Sequence, residues 1–262
     1  MFRKNKLAMV VSEFLGTGAL ALTVLAMSHS QLAVPYFVAS AAGFTLVLMV
    51  VALAGISGAV FNPALTIGLW TVRKLRTVQA LSYIAAQFAG AAVAWYVFAY
   101  FTKLHDVKNT GTFDMRVMFA EMLGTFVFAF CVAAAVYQRL SLGLKGLMIG
   151  GGLVAGALVA SLGSAGILNP AVAFSLHQWG WGTYVLGSIV GAVIGFFVYS
   201  LLFVETEVAE LEEAETERLE VVEVPAERPV VKTVAAQRTK AAARTKAATK
   251  SAPKSRTVSR KK

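Results

Sequence analysis

The stretch GISGAVFNPALTIGLW, Gly55 to Trp70, lies between two long apolar runs and yet contains an Asn-Pro pair. Proline inside a helix costs about 3 kcal/mol, and an unpaired amide is expensive in hydrocarbon. The same combination returns in GILNPAVAF, Gly166 to Phe174. Asparagine is a favoured helix N-cap, and proline suits the first helical position, where its missing N–H is not needed. Asn62-Pro63-Ala64 and Asn169-Pro170-Ala171 therefore each read as a helix start. The apolar pieces they open, Pro63–Val72 and Pro170–Gln178, have about ten residues each. At about 1.5 Å per residue that is half a membrane.

The rest of the chain sets these pieces in context. Of 262 residues, 57% are hydrophobic and 15% charged, which is not the balance of a water-soluble globule. The charges are also concentrated: ten of the fourteen acidic residues and thirteen of the twenty-four basic ones follow Val204. This divides the chain into a membrane domain, residues 1–204, and a charged tail. Six windows are near the ~20 residues a spanning helix needs. They are Leu7–Ser28, Val34–Ile56, Ala80–Phe101, Met115–Tyr137, Gly146–Leu162 and Tyr184–Val204. The first could imitate a secretory leader, but its length and the internal Glu13 read as a retained span. Arg3, Lys4, Lys6, Arg73, Lys74, Arg76, Arg139 and Lys145 fall on one side of this arrangement. The other side carries Lys103, Lys108 and Arg116, partly offset by Asp106 and Asp114. The positive-inside rule then places both termini in the cytoplasm, with the cell membrane as the expected location.

The two halves repeat, approximately residues 7–101 and 115–204. SEFLGTGAL (Ser12–Leu20) parallels AEMLGTFVF (Ala120–Phe128), which puts Glu13 and Glu121 108 positions apart. Asn62 and Asn169 are 107 apart. Three spans per repeat is an odd number, so the halves insert with opposite topology. The half-helices then enter from opposite faces and meet N-terminus to N-terminus. Each brings roughly half a positive charge from its dipole, and each asparagine offers N–H donors. Irregular backbone at membrane depth is tolerated where it is buried in protein or lines a water-filled cavity. A polar, cation-repelling constriction is the expected result.

These motifs resemble those of the aquaporin and aquaglyceroporin (major intrinsic protein) family. SGAVFNPALT is similar to that family's SGAHxNPAVT, and SEFLGT and AEMLGT to its AExxGT repeats. YIAAQFAGA (Tyr83–Ala91) and YVLGSIVGA (Tyr184–Ala192) resemble its third and sixth helices. The resemblance covers residues 1–204. It implies an all-α membrane protein of six transmembrane helices and two half-helices, with one pore per protomer and a homotetramer. It also implies that Asn62, Pro63, Ala64, Asn169, Pro170 and Ala171 form the pore constriction. The family's usual arginine after the second Asn-Pro-Ala is here Val172. An ungapped count puts the other three filter positions at Ala42, Ala157 and Gly166. Val60 stands where the family has histidine, and Ala173 where it has Asp or Ser. The expected filter is small, uncharged and wide.

Glu13 and Glu121 are the acidic residues within the spans. A carboxylate at the bilayer centre costs about 2.5–3.5 kcal/mol on insertion scales, so neither is expected to face lipid. One reading is a proton relay. The other, which the resemblance implies and the missing partner histidines favour, is a structural acceptor for the half-helix loops. Glycines such as Gly150, Gly151, Gly152 and Gly156 read as close helix packing. Cys131 lies in an apolar run and cannot pair internally; His29, His105 and His177 have no ligand spacing. No metal, no cofactor and no enzyme chemistry are expected.

In the tail, residues 205–227 hold ten glutamates and one arginine, while 228–262 hold twelve Lys/Arg and no acid in a low-complexity background. Such composition cannot bury a core, so disorder is expected, with anionic lipid or nucleic acid as the candidate partners. The whole reads as a passive channel for water and small uncharged, glycerol-like solutes in a lipid bilayer. The alternative is a non-conducting scaffold of the same fold acting through its tail.

Overall fold

The computed structural model describes residues 2–104, 112–178 and 180–204, with side chains from Lys6 onward. The acidic and basic parts of the tail, 205–227 and 228–262, lie outside the described residues, as do His105, Asp106 and Lys108. Among the described residues eight α-helices follow one another: α1 (Phe2–Ser28), α2 (Pro35–Ser57), α3 (Pro63–Thr71), α4 (Thr77–Thr102), α5 (Met115–Tyr137), α6 (Leu142–Ala160), α7 (Pro170–Ser175) and α8 (Leu186–Leu202). A single π turn, Trp181–Val185, leads into α8. Among the described residues there is no strand. Six segments are long and apolar enough to cross a membrane. Large apolar side chains on the outside, such as Leu81, Tyr96 and Leu201, are about two-thirds to three-quarters exposed. Water would not support such a surface, and a bilayer does. The chain is a multi-pass membrane protein.

Several helix boundaries differ from the sequence expectation, the first span starting at Phe2 and the third at Thr77, and three of the differences have a local cause or mark. The fifth span starts at Leu142 instead of Gly146, because Ser141 Oγ accepts from Leu144 N–H and caps it ahead of Lys145. The sixth span is extended backwards to Trp181 by the π turn. The second half-helix stops at Ser175, and two residues on His177 is left-handed with φ 56°.

Repeat symmetry governs the packing. Helix α1 lies against α4, and its counterpart α5 lies against α8. Each half-helix then packs on the third span of the other repeat, α3 on α8 and α7 on α4. The bundle is therefore interlocked, not two halves placed side by side. Helices approach closely where small residues face each other. A Cβ at Gly43 of α2 would lie 2.7 Å from the Gly150 carbonyl oxygen of α6, and Gly150 in turn abuts the Gly43 carbonyl. Without a hydrophobic effect between helices in lipid, such close contact supplies the van der Waals attraction that holds them.

Candidate functional site

The two Asn-Pro-Ala motifs meet in the interior. Asn62 is extended (φ −152°), and its Oδ1 accepts from the backbone N–H of Ala64 at 2.9 Å and of Leu65 at 3.4 Å. Asn169 is extended too (φ −147°), and accepts from Ala171 at 3.0 Å and Val172 at 3.4 Å. Each asparagine thus caps its own half-helix through oxygen and has its amide nitrogen left to donate. Asn62 Nδ2 donates to the Leu168 carbonyl at 2.9 Å, and Asn169 Nδ2 donates to the Phe61 carbonyl at 3.0 Å. The motifs are cross-braced, each holding the residue that precedes the other. An amide nitrogen carries two hydrogens, so each keeps one more donor.

The carbonyls that accept these bonds belong to strained residues. Phe61 (φ 50°) and Leu168 (φ 55°) are left-handed without being glycine, and both are fully buried. Such a conformation costs on the order of 1–3 kcal/mol and persists where the surroundings over-determine it. Here the two buried glutamates do so. Glu13 accepts from Phe61 N–H at 2.7 Å, Val60 N–H at 3.1 Å and Ser57 Oγ at 2.6 Å. Glu121 accepts from Leu168 N–H at 2.7 Å, Ile167 N–H at 3.0 Å and Ser164 Oγ. No histidine bonds either carboxyl among the described residues. Their partners are the loop N–H groups that no helix ladder can reach.

Sequence reasoning missed the shell around Glu13. Gln87 of α4 donates to Glu13 Oε2 at 2.8 Å and to Thr66 Oγ1 at 3.0 Å. Tyr83 donates its hydroxyl to the Ser57 carbonyl at 2.7 Å. A glutamine and a tyrosine one turn apart inside an apolar span were the available signal, since a buried amide needs partners.

A cavity of about 130 Å³ opens from the motif junction toward the face where α1 ends and α2 begins. Asn62 and Asn169 line it, and so do Ala42, Ala157, Gly166 and Val172. Gly166 is left-handed (φ 68°), and a Cβ there would meet the Ala157 carbonyl oxygen at 2.6 Å, so only glycine fits. Val60 also lines the cavity, whereas Ala173 is fully buried elsewhere. The α1 stripe Leu20, Val24 and Ser28, at steps of four, was not anticipated although its spacing gives it one face. Among the described residues no lining residue carries a charge, and neither Glu13 nor Glu121 reaches the lining. Among the described residues no group of His, Cys, Asp or Glu could hold a metal ion.

Six spans closed around a cavity, with two half-helices meeting inside it, define a membrane channel. The family model for Major intrinsic protein matches residues 2–199, and the chain belongs to that family. It is 30% identical to Aquaporin AqpM of Methanothermobacter thermautotrophicus, over 72% of this chain and 91% of that one. It is likewise 30% identical to Aquaporin Z of Photorhabdus laumondii, over 75% and 97%. The X-ray structure of the aquaglyceroporin from Plasmodium falciparum shares the fold, with a TM-score of 0.61 at 19% identity, covering 79% of this chain and 99% of that one. Proteins of this family are channels for water or small solutes and not enzymes, and this chain is such a channel.

Proposed function

We propose that the channel passes small uncharged solutes of the glycerol type along with water, through a filter formed by Ala42, Ala157, Gly166 and Val172. The observation that carries this reading is the uncharged cavity: nothing larger than valine stands at those four positions, and polar side chains are sparse. A wide, apolar passage lowers the desolvation barrier for a solute with C–H surface and gives water fewer replacement hydrogen bonds. Asn62 and Asn169, with Pro63, Ala64, Pro170 and Ala171, form the inner constriction. Their free N–H donors and the opposed helix ends disfavour cations.

Basic residues cluster at the start of α1 and after α3 and α5, which supports cytoplasmic termini in the cell membrane. The cavity then opens outward. A homotetramer is the expected assembly, from the family resemblance. The tail, with twelve Lys/Arg in residues 228–262, is suited to anionic lipid or nucleic acid. A non-conducting scaffold acting through that tail is the competing reading.

Stopped-flow light scattering on proteoliposomes tests the channel. Glycerol and water should both pass, and Val172→Arg should lower glycerol flux more than water flux. A wild type that passes water but excludes glycerol and urea would overturn the wide-filter reading. No flux of any solute would favour the scaffold.

A further inference from the structure

Among the described residues twenty line the cavity, and four of these have polar side chains: Asn62, Asn169, Ser28 and Gln178. They fall into two groups. The asparagines close the inner end. Ser28 is the last residue of α1, beside Pro35 at the start of α2, and Gln178 follows α7; these stand at the mouth. Gln178 is nine residues beyond Asn169. Helix α7 covers about 9 Å of that path before it ends at Ser175, and the chain then folds back with Gln178 N–H on the Ala173 carbonyl. Along α1, Ser28 is eight residues, or about 12 Å, beyond Leu20, which also lines the cavity. Ala42, Ala157, Gly166 and Val172 line the same passage and present no hydrogen-bonding side chain.

A solute entering this passage gives up its water before it reaches the asparagines. Polar groups that lose water without a substitute are costly, so a donor and acceptor at the threshold decide which solutes enter. The Gln178 side chain is half-buried and makes no hydrogen bond among the described residues. Its neighbour is differently employed: His177 lies against Trp95, with ring centroids 4.2 Å apart. The Gln178 amide therefore keeps two N–H donors and a carbonyl acceptor for a visitor, which suits a molecule with adjacent hydroxyl or amide groups.

We infer that Gln178, assisted by Ser28, forms an outer hydrogen-bonding subsite and is the specificity-determining residue of the pore for polyol and amide solutes. The inference rests on the solute-channel reading above. In a filter without a charged donor, selection moves outward to the first polar group the solute meets.

The test uses the full chain in proteoliposomes, with water, glycerol and urea fluxes measured for the wild type, Gln178→Leu, Gln178→Asn and Ser28→Ala. Leucine keeps much of the bulk and removes every hydrogen bond, and since the native amide has no partner among the described residues, the fold should stand. Matched size-exclusion profiles check that. Gln178→Leu should lower glycerol and urea permeability at least five-fold with water within two-fold, Gln178→Asn should recover part of the loss, and Ser28→Ala should have a smaller effect of the same sign. A Gln178→Leu channel with wild-type glycerol and urea flux overturns the subsite and leaves the wide filter intact. Equal loss of water and solute flux overturns it too, because that is obstruction and not selection. A wild type that conducts neither glycerol nor urea overturns the underlying channel reading instead, whatever the variants do.

Discussion

The two repeats share a plan and differ in how firmly it is held. In the first, the Glu13 carboxyl accepts four donors, and Gln87 extends the network to Thr66 of the half-helix. In the second, Glu121 accepts three. Aligning YIAAQFAGA with YVLGSIVGA puts Ser188 opposite Gln87, and the 107-residue offset puts Ala173 opposite Thr66. Ser188 turns its hydroxyl back onto the Tyr184 carbonyl at 2.7 Å, so no second bridge forms. The half-helices differ likewise: α3 has nine residues and α7 six. The cavity lies on the α7 side. The first half thus carries the heavier brace, while both halves line the cavity, ten described residues from each.

The largest effect should come from removing the carboxyls. Glu13→Ala removes the acceptor of four buried donors: it strands the Val60 and Phe61 N–H groups, at about 1–3 kcal/mol apiece, and leaves Ser57 with Ser12 and Gln87 with Thr66 as remaining partners. Little folded protein should survive extraction, and Glu121→Ala, one donor better off, should retain more. Equal yields on size exclusion would erase the distinction between the halves.

Replacing either central asparagine comes next. Asn62→Asp loses the donor to the Leu168 carbonyl, and Asn169→Asp the donor to Phe61, while adding a negative charge in the passage. Loss of folding or of cation exclusion is expected, measured by conductance and osmotic flux. Wild-type behaviour in both variants would refute the constriction.

A sharper probe is Gln87→Ser, which gives the first repeat the second repeat's residue. Glu13 and Thr66 each lose a partner, so thermal stability should fall, by about 1–2 kcal/mol on the scale of one or two buried hydrogen bonds. Solute selectivity should be untouched, because Gln87 does not line the cavity. Altered selectivity would mean that the brace also shapes the pore.

Truncation after Val204 should do least. It removes no span and neither motif, so permeability should persist while salt-sensitive binding to anionic vesicles or DNA disappears. Loss of assembly would instead tie the acidic segment to oligomer formation.

Much of this was readable in advance because membrane insertion writes itself into the sequence one segment at a time. Spans, half-spans and duplication follow from hydropathy and from Asn-Pro caps, which are local. What resisted reading depends on distant residues. The left-handed backbone at Phe61 and Leu168 has no glycine to announce it, since strain there is held by glutamates 48 and 47 positions earlier. The Gln87 bridge needs α1, α3 and α4 assembled before it means anything. Lys145 and the glycines Gly180 and Gly182 lower the hydropathy at two helix starts, which hides the Ser141 cap and the π turn from a hydropathy reading.

The crossed bonds between Asn62 and Leu168 and between Asn169 and Phe61 also set a timetable for biosynthesis. The first motif leaves the ribosome 107 residues ahead of the second. At about 5–20 residues per second, its amide and the Phe61 carbonyl wait on the order of 5–20 s for their partners. A left-handed turn formed in that interval has the first repeat's own bonds to hold it, those of Glu13 with Ser57, Phe61 and Gln87. The heavier brace on the first repeat then has a reason of its own: the half made first must stand unaided, and the half made last closes on a structure already in place.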